Sequence, residues 1–100
     1  MEITYRVDKS ILYIALDGRI DASNASAAEE KIFAIKKENT GKHVVIDADN
    51  LEYISSAGLR VILKAQKAMA AKGGMKLLHV NETIMEIFEI TGFSDILTIV

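Results

Sequence analysis

The chain has no cysteine, no proline and no tryptophan among its 100 residues. Lacking cysteine, it can form no disulfide, no thiolate metal site and no cysteine nucleophile. That absence is compatible with the cytoplasm, which is the expected location. Lacking proline, and with six glycines confined to turn-like positions, it shows no linker and no low-complexity segment. No apolar run reaches the length of a membrane span, and Met1-Glu2-Ile3-Thr4-Tyr5 does not read as a signal peptide, so no membrane partner is expected. Charge of either sign is scarce in balance: the net value of −2 predicts neither direct nucleic-acid binding nor adhesion to an anionic surface. No internal repeat is visible. What the chain does have is apolar content, 50% of its residues, enough for one modest core. A single domain over residues 1–100 is expected.

Periodicity supplies the elements. Ile3, Tyr5 and Val7 alternate with Thr4, Arg6 and Asp8, the pattern of a half-buried strand. Asp8-Lys9-Ser10 is turn-like, and Ile11–Leu16 is a more continuous apolar strand, so an antiparallel hairpin opens the sheet. Asp17-Gly18 should end that strand. A helix follows with Ala25, Ala28, Ile32 and Ile35 inward; Asp21 is one candidate N-cap, and Ser26 with Glu29 a competing capping box. His43-Val44-Val45-Ile46-Asp47 reads as a buried strand, and Leu59, Ile62, Leu63 and Met69 mark a second helix closed by Gly73-Gly74. Met75–Val80 is expected as a strand, Asn81 as the cap of a third helix carrying Ile84, Ile87 and Phe88, Gly92 as its terminator, and Ile96–Val100 as a last short strand. The order β-β-α-β-α-β-α-β predicts an α/β fold. Its sheet is mixed but mostly parallel, with an antiparallel hairpin at its start and about three helices packed on it.

Between the central strand and the second helix lies Ile54-Ser55-Ser56-Ala57-Gly58-Leu59. A serine before an apolar-periodic run is a good N-cap, because its oxygen accepts a backbone N–H that the first turn leaves free. The same free N–H groups and helix dipole also favour an anion. Residue type alone leaves both readings open.

In its setting this hexapeptide closely resembles the phosphorylation loop of anti-sigma factor antagonists, the bacterial members of the STAS domain family. Gly18-Arg19-Ile20-Asp21 resembles that family's Gly-x-hydrophobic-Asp stretch, and Gly73-Gly74 before a strand resembles its usual turn. The resemblance spans most of the chain and implies the STAS fold. Matched position by position, it makes Ser56 the phosphoacceptor. Ser55 stands where many relatives have Asp, which places a second hydroxyl beside the acceptor and makes Ser55 the second, less favoured candidate for phosphorylation. It also puts Asp21 near the acceptor on a partner-facing surface, although Asp21 as a simple cap remains an equal reading. The implied function is a partner switch. Unphosphorylated, the chain would bind an anti-sigma factor with serine kinase activity and free a sigma factor. The kinase, using ATP and magnesium, would phosphorylate Ser56, and a metal-dependent serine phosphatase would reset it. The same fold could instead carry a phosphoswitch for a non-sigma signalling partner, or a small-molecule or nucleotide-binding module.

Catalysis by the chain itself is not expected, and neither is a cofactor or a bound metal. A serine needs a base to become a nucleophile, and His43 and His79 lie on strands away from the serine loop, where local hydrogen bonds account for them. The second helix carries Arg60, Lys64, Lys67 and Lys72 with no acid between residues 57 and 74. That is either a solvated face or, together with Asp21, Ser55, Ser56, Ala57 and Gly58, a docking surface for an acidic partner.

Overall fold

In the computed structural model, which describes residues 1–69 and 74–100, strands β1 (Glu2–Asp8) and β2 (Ile11–Ile20) form the expected antiparallel hairpin. Its two-residue turn holds Lys9 at φ 57°, the left-handed backbone that tight hairpin loops demand. Helix α1 (Ala25–Glu38) then leads to β3 (His43–Ile54), α2 (Ser56–Met69), β4 (Met75–Leu78), α3 (Glu82–Thr91), a 3-10 turn at Phe93–Asp95 and β5 (Thr98–Ile99). The five strands lie in chain order across one sheet, with every pairing after the first parallel.

Topology decides where the helices go. Each crossover from β2 onward steps one strand in the same direction. Right-handed crossovers that all step the same way leave their helices on a single face. Burial agrees. Leu12, Ile14 and Leu16 of β2, Val44, Ile46 and Ala48 of β3, and Met75 and Leu77 of β4 are buried and share a face with Ile32, Ile62, Ala65, Ile84 and Phe88 of the helices in one core. The opposite face carries Tyr13, Ala15, Asp47 and Lys76, half-buried or exposed, and Val45, which is buried. The helices cover one side and leave the other bare.

Several local expectations change. Asp17-Gly18 does not end β2; the strand runs on to Ile20 through register shifts between Ala15 and Asp17 and between Gly18 and Arg19. Gly18 at φ 102° supplies the backbone that such an irregularity needs. β3 likewise continues past Asp47 to Ile54, pairing Ile54 with Ile20. Tyr5 and Val7 point to the helix side yet stay 49% and 43% exposed, because β1 is the sheet edge and only the Ile3 end reaches α1. β4 stops at Leu78, since His79 turns left-handed at φ 59°. β5 is only two residues long, because the Ile96 and Leu97 N–H groups both donate back to the Phe93 carbonyl at the end of the 3-10 turn.

The helix ends show which local signals mattered. α1 buries Ala25, Ala28, Ile32 and Ile35 as expected, but its N-cap position is Asn24 rather than Asp21, and Ser26 and Glu29 lie inside the helix instead of forming a capping box. Asn81 caps α3, its Oδ1 accepting the Ile84 N–H at 2.9 Å while its Nδ2 donates to the Leu51 carbonyl at 3.0 Å. Gly92 ends that helix at φ 79°. Lys72 and Gly73 fall outside the described residues. The Gly74 N–H donates back to the Met69 carbonyl at 2.9 Å.

Candidate functional site

The site is built on the last residues of two parallel strands. β2 and β3 end side by side at Ile20 and Ile54, and the Ser55 N–H continues the ladder by donating to the Ile20 carbonyl at 2.8 Å. The chain then turns into α2 within a single residue. Ser55 is the cap: its Oγ accepts the Gly58 N–H at 3.3 Å and its carbonyl accepts the Leu59 N–H at 2.8 Å. Ser56 is the first helical residue and is exposed, and its hydroxyl makes no side-chain hydrogen bond among the described residues. The two serines therefore divide the possible roles. One closes the helix and the other faces solvent at the positive end of the dipole.

Gly58 sets how closely that helix end lies on the strands. A Cβ at this position would stand 2.6 Å from Ile54 Cγ1 and 2.8 Å from Ile20 Cγ2, both buried side chains. No larger residue fits without moving α2. This is the physical reason for glycine in the loop, and it becomes visible only when both strand ends are in place.

Asp21 follows Ile20 and so stands next to Ser55 across the ladder. Its Oδ1 accepts from the Ser23 hydroxyl at 2.5 Å and the Ser23 N–H at 2.9 Å, and its own N–H donates to Asn24 Oδ1 at 3.0 Å. These bonds order the turn before α1 rather than the helix itself. The Ser23 hydroxyl bond, then the Ser23 amide, hold the carboxyl below its ordinary value, with Arg19 adding to the effect. The group is a fixed anion at the rim of the serine loop. Arg19 lies on the same rim, its guanidinium 4.5 Å from the Tyr53 ring centre. The sequence hid that pairing, because the shifted register makes them neighbours.

Beside the loop, α1 and α2 enclose a groove of about 360 Å3 lined by Ala25, Glu29, Ala57, Arg60, Lys64 and Lys67 among others. Lys64 Nζ lies 3.2 Å from Glu29 Oε1, so an acid absent from α2 is supplied by α1. Arg60 and Lys67 have no ion-pair partner among the described residues. The histidines are elsewhere. His43 is exposed at the start of β3. His79 Nδ1 lies 2.9 Å from Asp47 Oδ1, a long-range pair at the end of β4 rather than a bond local to a strand. Neither histidine is hydrogen-bonded to Ser55 or Ser56 among the described residues. No helix among the described residues is long and apolar enough to cross a membrane.

The family model described as the STAS domain matches residues 2–100. The protein BtrV of Bordetella bronchiseptica is 34% identical over 97 residues, which cover 96% of this chain and 83% of BtrV. The anti-sigma-B factor antagonist of Bacillus subtilis is 26% identical over 100 residues, 99% of this chain and 90% of that one. Among solved structures, an anti-sigma factor antagonist from Mycobacterium paratuberculosis superposes with a TM-score of 0.87 at 18% identity, covering 98% of this chain and 83% of that one. The anti-sigma factor antagonist SpoIIAA in its unphosphorylated form superposes at 0.70 and 19% identity, covering 99% of this chain and 87% of that one. The Bacillus cell fate determinant SpoIIAA in the phosphorylated form gives the same TM-score, 0.70, at 20% identity over 99% and 91%. At these identities the structural likeness speaks for the fold.

Proposed function

The chain belongs to the STAS domain family, and on that premise we propose that it is an anti-sigma factor antagonist, a protein-binding switch set by phosphorylation of Ser56. Unphosphorylated, it binds an anti-sigma factor that is also a serine kinase, and so releases a sigma factor. Phosphorylation by that kinase ends the complex, and a metal-dependent serine phosphatase restores it. The chain is ligand and substrate in this cycle, with no catalysis of its own.

One observation carries the reading: Ser55 caps α2, which leaves the exposed Ser56 hydroxyl free of structural duty. A phosphate there adds about −1.5 to −2 charges at neutral pH. The helix dipole tolerates that charge, so the fold needs no rebuilding. A docked protein does not tolerate it, because covering a dianion strips its water without supplying a partner for it. Neither His43 nor His79 is hydrogen-bonded to Ser56 among the described residues, which supports a serine that is modified rather than one that attacks.

The test is affinity purification from the native cell with wild type, Ser56→Ala and Ser56→Asp, combined with phosphosite mapping. The expected outcome is capture of an ATP-binding kinase by wild type and Ser56→Ala but not by Ser56→Asp, with phosphate on Ser56. Identical partners for all three, with no phosphate on either serine, would overturn the proposal.

A further inference from the structure

β1 is a sheet edge seven residues long, with nothing paired on its outer side among the described residues. Alternate N–H and C=O groups along such an edge are a template for another strand. We propose that this edge pairs antiparallel with β1 of a second copy of the chain, about a two-fold axis through Thr4, joining two five-stranded sheets into one.

Charge selects both the partner and the register. Directly opposed residues of an antiparallel pair point to the same face, so symmetric registers differ by steps of two residues. Centred on Thr4, Glu2 faces Arg6 of the second copy, and Arg6 faces its Glu2. Centred on Tyr5, Glu2 would face Asp8, a like-charge pair repeated by symmetry. Centred on Ile3, Arg6 would have no opposing residue in the partner strand. The Thr4 register alone makes both pairs attractive. Arg6 is ordered for this role: its guanidinium stacks 3.9 Å from the Tyr13 ring centre on the bare face and remains exposed.

The helix side of the same edge agrees. Tyr5 is 49% and Val7 43% exposed, large for apolar groups on a face whose next residue along, Ile3, is buried. In the Thr4 register, Tyr5 stands opposite Ile3 of the second copy and Val7 opposite its Met1. Between Ile3 and α1 lies a hollow of about 120 Å3 lined by Met1, Ile3, Ala27, Ala28 and the Lys31 side chain. With paired strands about 4.8 Å apart, the Tyr5 ring of one copy is placed to enter the hollow of the other. A single register thus satisfies the charges on one face and the apolar groups on the other. β2 separates the edge from β3 and α2, so the proposal stands independently of any role of Ser56.

Sedimentation equilibrium over concentrations up to millimolar tests it. The wild-type mass should double as concentration rises. Glu2→Arg alone and Arg6→Glu alone should each weaken dimerisation by about tenfold or more, and an equimolar mixture of the two should restore it, since each supplies the other's complement. Because the chain has no cysteine, Thr4→Cys gives a second, clean readout. The two Thr4 Cα atoms would lie about 4.5–5.5 Å apart, within disulfide range, so oxidation should link the copies. The control Lys9→Cys, beyond the paired segment, should stay unlinked. All these positions are exposed, so each variant should keep the wild-type circular dichroism spectrum. A wild-type chain that stays monomeric over the whole range, or a dimer indifferent to both charge reversals, overturns the proposal.

Discussion

A methyl group added to Gly58 would stand 2.6 Å from Cγ1 of Ile54, closer than side-chain carbon atoms pack. Ile20 Cγ2, at 2.8 Å, would be overlapped as well. Gly58→Ala should therefore push the start of α2 off the strand ends in spite of alanine's better helix propensity. The expected cost is about 1–3 kcal/mol, the range for overpacking a core, measured by urea denaturation. An unchanged or raised midpoint would show that the strand ends yield.

Ser55→Ala and Ser56→Ala should separate cleanly. Removing the cap oxygen that accepts the Gly58 N–H should cost about 1 kcal/mol. Removing the exposed Ser56 hydroxyl should change stability by no more than about 0.5 kcal/mol, while abolishing phosphorylation of the loop. Parallel denaturation and phosphate incorporation on both variants would check this; equal losses of stability would mean that the hydroxyls share the cap.

The His79–Asp47 pair gives stability a pH dependence whose sign follows from the shifts. The Asp47 hydrogen bond, then its charge, raises the His79 pKa above 6.5. That contribution is complete below the unfolded value and fades as pH climbs through the folded one. For Asp47, burial pushes the carboxyl up, but the hydrogen bonds from His79 and the Asp49 N–H outweigh it and hold the group below 3.8. Its contribution is present above 3.8 and lost as pH falls through the folded value. The stability gap between wild type and His79→Gln should thus be widest between about pH 4 and 6.5 and narrow as pH climbs through the raised His79 value. Thermal melts across that range would test it, and a gap that does not vary with pH would show that the two groups do not form an ion pair.

Arg60 and Lys64 should behave differently toward an acidic partner. Lys64 is engaged by Glu29, an exposed pair whose loss should cost stability about 0.5 kcal/mol or less. Arg60 shares the groove without an ion-pair partner among the described residues. Arg60→Glu should weaken the complex about tenfold or more and slow its formation at low salt, with Lys64→Glu doing less. Association rates by surface plasmon resonance would decide; affinity unchanged by either reversal would mean that this face is merely solvated.

Signals that act within a few residues were legible in the sequence. Asn81 before Glu82 and Gly92 after Thr91 mark the ends of α3 because capping chemistry is local. The inward stripe Ala25, Ala28, Ile32 and Ile35 follows from helical period alone. Signals that need the sheet were not legible. Asp17-Gly18 looks like a stop and is a bulge, since the neighbouring β3 continues the ladder on its far side. Tyr5 and Val7 alternate like core residues and are exposed, because alternation names a face but not what covers it. At the site, the serine loop was evident from its cap pattern. The Glu29 partner of Lys64 and the contact between Arg19 and Tyr53 were not, since each joins residues about 35 apart in the chain.

One residue separates the end of β3 from the exposed hydroxyl, and that residue is bonded on both sides. There is no slack through which Ser56 could be drawn into an extended-peptide groove. An enzyme that modifies it must take the folded domain as its substrate and offer an open surface shaped to a helix end. The loop excised as a peptide would lose both its geometry and the helix dipole, so recognition depends on completed folding. Under the proposed function, nascent or unfolded copies would escape the kinase, and only chains able to bind a partner would be marked.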